Sequence, residues 1–153
     1  MSNDNGQKSF WDIIDLLDWQ EENSFIEVIE PAVAYLSKQS DDAIFLFDEQ
    51  LHRHLYDIDG IRLGEMYMNA NNGYLSPDGF LYCKCLIVAE GEEYYSAIKN
   101  GEGIPEDDIW LDEFEDLLYV AQKSWDRKHP KLRYPYIPDM NINGETGSNE
   151  HMW

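Results

Sequence analysis

His52 and His54 are the residues whose type is best suited to hold a metal or to move a proton near neutral pH. Two positions apart on a helix they sit about 200° apart around its axis, so they cannot easily chelate one ion. Surface or packing roles are the better reading. Cys83 and Cys85 bracket one residue rather than the two of the usual zinc pair, and there is no second cysteine pair. The same spacing disfavours a mutual disulfide, which leaves two reduced thiols with a buried structural role. No metal and no cofactor are expected.

Carboxylates are the other candidates. Asp12, Asp15 and Asp18 lie three apart, which on a helix makes a drifting acidic stripe, and Glu27 with Glu30 adds a similar pair. Paired carboxylates can act as general acid and base, but only in a cleft that shifts their pKa values, and among 31 acids chance pairs abound. A solvated surface is the first reading and partner binding the next, so no catalytic residue is assigned. Asp57-Ile58-Asp59-Gly60 lacks the alternating ligands and closing Glu of a calcium loop. Gly101-Glu102-Gly103 lacks the Lys and Ser or Thr of a phosphate loop. The turn from Asn71 to Phe80 combines conformationally special residues, aromatics and a helix start, which makes it the best local candidate for a site; a structural turn anchored by Phe80 is the leading account of it.

What must position these groups follows from composition. A chain of 153 residues, 43% of them hydrophobic and 14% aromatic, has the material for one domain with a real core. No apolar run approaches the roughly 20 residues that span a bilayer, and Met1 to Lys8 is polar, so a cytoplasmic protein without membrane contact is expected. The 31 acidic and 11 basic residues give a formal charge of -20, which repels nucleic acid and favours a basic protein partner.

Periodicity and capping signals predict helices throughout. Ser9 with Asp12 opens one at Phe10, and Ser24 with Glu27 opens another at Phe25 in which Pro31 demands a kink or a second helix. Ser40 precedes the clearest helix, with Ile44, Phe47, Leu51, Leu55 and Ile58 three or four apart, closing near Asp59-Gly60. Further helices are predicted over Ile61 to Ala70, from Ser76-Pro77 towards Gly91, over Glu92 to Lys99, and as one long helix from Leu111 to Lys128. The run Cys85-Leu86-Ile87-Val88 is also compatible with a buried strand, with helix favoured. In the last of these segments the acids come before Lys123, Arg127 and Lys128, an order that complements a helix dipole. The fold expected is all-α: a compact bundle of about six or seven short-to-medium helices over residues 9–130. A polar tail (1–8) precedes it and an irregular segment (131–153), packed on the domain or partly disordered, follows.

Several phrases in this order resemble the bacterial domain of unknown function DUF4240: Phe10-Trp11, Asp41-Asp42 before Ile44 and Phe47, Leu55-Tyr56, Ser76-Pro77-Asp78-Gly79-Phe80, and Leu86-Ile87 ahead of Gly91. The later Phe114-Glu115-Asp116-Leu117-Leu118-Tyr119-Val120-Ala121 is similar to a family helix. Pro77 in the turn and Cys83-Lys84-Cys85 after it depart from the pattern. The resemblance implies a mainly helical fold and transfers no reaction.

Charge and the lack of a catalytic motif lead to a non-enzymatic, acidic protein-binding module, in its specific form an immunity protein that neutralises a cationic toxin by occlusion. The contact candidates are Asp12, Asp15, Asp18, Glu22, Asp107, Asp108 and Asp112, with Trp19 and Trp110 as aromatic anchors. The alternatives are a small hydrolase with a pocket near Asp78, Phe80 and a histidine, and a scaffold that binds a peptide helix in an apolar groove.

Overall fold

Four serines set where helices begin. In the computed structural model, which describes residues 6–103, 105, 107–110 and 112–153 without the side chains of Asp107 and Asp108, Ser9, Ser24, Ser40 and Ser76 each accept a hydrogen bond from a first-turn amide. Ser9 with Asp12 and Ser24 with Glu27 complete reciprocal capping boxes. The helices are α1 (Phe10–Ile14), α2 (Phe25–Leu36), α3 (Asp41–Asp57), α4 (Ile61–Ala70), α5 (Pro77–Ala89), α6 (Glu92–Lys99) and α7 (Val120–Lys128). No strand occurs among the described residues, so the fold is all-α.

Pro31 lies inside α2 without dividing it. The missing donor costs less than the burial of Val28, Ile29, Ala32, Val33 and Leu36 on one face returns. The long helix expected from Leu111 to Lys128 is not formed: Leu111 lies outside the described residues, Glu115–Tyr119 is a 3-10 turn, and α7 begins only at Val120. Asp112 and Asp116, four apart, and Glu113 and Asp116, three apart, would be like-charge pairs on a helix. The break also lets Phe114, fully buried, insert beside Trp19 and Phe25 at ring separations of 5.4 and 4.7 Å.

α5 is the central element. From Gly79 to Ala89 every residue but Tyr82 is buried, so the apolar run that is compatible with a strand is instead a helix covered on all sides. Burial pushes the Cys83 thiol up to about 12 and raises Cys85 as well, which keeps both protonated and inert. α7 packs across α2 and α3. Arg127 forms a two-pronged bond to Glu30 on α2, while Lys128 and His129 both reach Asp41 at the start of α3.

Residues 131–153 form a strap along the polar face of α3. Tyr134 donates to Asp48 at 2.7 Å, Tyr136 donates to Glu49, and the Gly144 amide donates to His52 Nδ1 at 3.2 Å. The strap ends on a buried ion pair. Lys84 Nζ on α5 donates to Asp59 Oδ1 at 3.0 Å and to the Gly144 carbonyl at 2.7 Å, and the side chains of both charged residues are wholly inaccessible to solvent. Asp59 accepts in addition from the amides of Gly147 and Asn149 and from the Trp153 indole. Lys84 also lies 4.9 Å from the centre of the Phe80 ring. Burial pushes the Lys84 ammonium down and the Asp59 carboxylate opposes it. Gly64 makes room for the end of the strap, since a Cβ there would stand 2.6 Å from the Trp153 ring.

Candidate functional site

The capping box that starts α1 fixes Asp12 in its first turn, and Asp15 closes the same helix as its C-cap. Facing them is the junction of α5 and α6, where Glu90 caps α5, Gly91 turns the chain at φ 109°, and Glu92 and Glu93 begin α6. A side chain at Gly91 would be strained in that left-handed conformation, so glycine is what allows two helices to meet this tightly. Together Ser9, Trp11, Asp12, Asp15, Glu90, Gly91, Glu92 and Glu93 line a depression of about 610 Å³.

Five of these eight residues are carboxylates and none is a base. The Ser9 amide and hydroxyl hold the Asp12 carboxyl below its ordinary range. Trp11 supplies the apolar surface; its ring packs on Phe10 at 5.0 Å, on His54 at 4.8 Å and on Tyr95 at 5.3 Å, which fixes its orientation. A depression of this kind attracts a cationic group electrostatically and offers it an aromatic face.

The other contact candidates lie in separate places. Asp18 and Glu22 are on the loop between α1 and α2, where the Asp18 amide donates to the Val28 carbonyl. Trp19, on the same loop, is 44% exposed with one side of its ring on Phe114. Asp112 is exposed two positions before that phenylalanine, so the neighbourhood of Trp19 is acidic too. Trp110 is half-buried against Tyr67 and does not line the depression. Asp107 and Asp108 belong to a 3-10 turn, and their side chains lie outside the described residues. Glu90, Glu92 and Glu93 are absent from the sequence-based candidates; the signal was the acid run around Gly91, which reads locally as no more than a helix end and a helix start.

Groups suited to other chemistry do not converge. Phe80 is buried between Tyr67 and Trp153, Asp78 is exposed at the first turn of α5, and both histidines belong to α3. The Asn71 to Phe80 turn is closed internally by Asn71 bonds to Tyr74 and Tyr67. Among the described residues no group of His, Cys, Asp and Glu is placed to hold a metal ion. Among the described residues no helix is long and apolar enough to cross a membrane.

The histidines act on stability instead. His52 Nδ1 accepts from Gly144, which leaves the ring proton on Nε2, 3.6 Å from Asp48 Oδ1. Burial pushes both His52 and His54 below their ordinary 6.5, and neighbouring acids only partly compensate. The unfolded chain therefore takes up protons first, and stability is lost as pH falls from about 6.5 into the range of the folded values. Asp48, pushed up by burial, works in the opposite direction at lower pH, because its folded form binds a proton first. Urea midpoints measured from pH 7.5 to 5 should fall for the wild type and flatten in His52→Gln/His54→Gln; an equal slope in both would remove the histidines as its cause.

No curated protein and no solved structure matches the chain. Residues 6–127 match the family model described as "Protein of unknown function (DUF4240)", a stretch that contains all seven helices except the last residue of α7 and stops short of the strap. The chain therefore belongs to the DUF4240 family.

Proposed function

We propose that this protein is a non-enzymatic binding module of the cytoplasm that docks a basic protein on the depression between α1 and the α5–α6 junction. The observation that carries this reading is the placement of Asp12, Asp15, Glu90, Glu92 and Glu93 around Trp11, five carboxylates among the eight described lining residues. A formal charge of -20 adds long-range attraction for a cationic partner, and the aromatic floor gives short-range contact once the two surfaces meet. The specific form we favour is an immunity protein: a cationic toxin is steered on to this face and its working surface is occluded, with no chemical step required of the binder.

Affinity capture from the native host extract, at low and at high salt, tests this. The bait is compared with Asp15→Lys/Glu92→Lys/Glu93→Lys, which reverses exposed carboxylates only. Replacing each first-turn acid of α6 by lysine removes a favourable charge and adds an unfavourable one, a cost of about 0.6–2 kcal/mol each, and circular dichroism of the variant checks that it remains folded. One stoichiometric basic protein, held by the wild type at low salt and lost both at high salt and with the variant, supports the reading. A partner retained equally by the variant, or no partner at all, sinks it.

A further inference from the structure

A second concavity lies between the end of α3, the start of α4 and the end of α6, lined by Asp57, Ile58, Gly60 to Leu63, Ile98, Lys99 and Met152, with a volume of about 170 Å³. Its apolar wall is firm: Ile58, Leu63 and Ile98 are 7%, 3% and 2% exposed and belong to the core cluster. Two cations stand at this wall, Arg62 and Lys99, in a chain with only 11 bases against 31 acids. The first turn of α4 also lines it and has no side-chain cap, so the positive end of that helix's dipole adds to theirs.

Among the described residues no tight carboxylate locks either cation in place. Arg62 donates to the Ile98 carbonyl and retains other N–H groups of its guanidinium fork. Lys99 stands 3.6 Å from Asp57, longer than the roughly 2.7–2.9 Å of a close charge-assisted bond, and its side chain is 46% exposed. Among the described lining residues Asp57 is the one acid, and it limits how much anionic charge the cavity can take. One carboxylate shared between Arg62 and Lys99 matches that balance better than a polyanion does.

We propose that this cavity binds a small apolar carboxylate, its carboxyl group on Arg62 and Lys99 and its aliphatic part against Ile58, Leu63 and Ile98. The volume lies below the roughly 300–1,000 Å³ of pockets for drug-sized ligands, so the aliphatic part is short. This site is independent of the acidic depression, and the two can fail separately.

Titration of the full chain with 3-methylbutanoate, followed in ¹H–¹⁵N spectra at about millimolar ligand, tests the assignment. Saturable shifts are expected at the amides of Ile61, Arg62, Leu63 and Lys99. The uncharged isostere 3-methylbutanamide and inorganic phosphate should each bind at least about tenfold more weakly, the first lacking the charge and the second the apolar part. Lys99→Gln, at an exposed position, should weaken the carboxylate several-fold with the spectrum otherwise unchanged; Arg62→Gln should weaken it several-fold too, with shifts of its own around Ile98 in the free protein because the bond to that carbonyl is lost. Shifts that do not saturate, that map elsewhere, or that are matched by the amide or by phosphate overturn the proposal.

Discussion

Replacing Asp59 with alanine is expected to destabilise the protein by about 3–5 kcal/mol, because it strands the Lys84 ammonium in a site without solvent. For a chain of this length that is a fall in melting temperature of roughly 6–20 °C. The mechanism distinguishes itself through a second substitution. Asp59→Ala/Lys84→Met removes the stranded charge and fills its path with an apolar chain of similar length, so the double variant should be more stable than Asp59→Ala alone. Urea denaturation of the wild type, both single variants and the double variant measures the coupling. A double variant no better than the single would mean that the loss comes from the strap bonds of Asp59 and not from the ion pair.

Ending the chain at Asn143 should have an effect of similar size. Asp59 would lose the amides of Gly147 and Asn149 and the indole of Trp153, and Lys84 would lose the Gly144 carbonyl. Hydrogen bonds to a charged group contribute roughly 1.5–3 kcal/mol each as a net effect on stability. Phe80 would also lose the edge-on Trp153 ring at 5.9 Å. We expect a loss of at least about 4 kcal/mol in urea denaturation, together with rapid hydrogen exchange along α4. Because both changes act through Asp59, adding Asp59→Ala to the shortened chain should cost much less than it does in the full one. An unchanged midpoint for the shortened chain would make the last ten residues an appendage, despite their bonds to Asp59, Lys84 and His52.

This strap shows where sequence reasoning stopped. Helix starts were legible because a cap is a local event: Ser9, Ser24, Ser40 and Ser76 each act within three residues of themselves. Helix faces were legible because Ile44, Phe47, Leu51 and Leu55 carry their own period. Asp59 and Lys84 were not, since one reads as a helix end and the other as a residue between two cysteines, and what pairs them is packing across 25 positions of chain. The segment from Leu111 misled because its apolar spacing and its order of acids before bases are both helical, while the burial of Phe114 beside Trp19 and Phe25 is a tertiary effect with no local mark.

The acidic depression divides in the same way. Asp12 and Asp15 could be named from their spacing on α1, yet the acids that complete the face arrive from the α5–α6 junction, about 75 positions later in the chain. Asp18, Trp19 and Glu22 follow α1 in sequence but belong to the next loop. Trp110, named as an aromatic anchor, is half-buried against Tyr67. Burial is a tertiary property, and an aromatic residue in an acidic stretch carries no local mark of it.

The central claim is that a basic partner is steered to the face around Trp11, and the rate of association reports steering most directly. With the captured partner in hand, stopped-flow association is measured over a range of salt concentrations for the wild type and for Asp15→Lys/Glu92→Lys/Glu93→Lys. The account predicts a wild-type rate that falls steeply as salt rises, a variant at least about tenfold slower at low salt, and convergence of the two at high salt. Identical rates and identical salt dependence for the two proteins would contradict it.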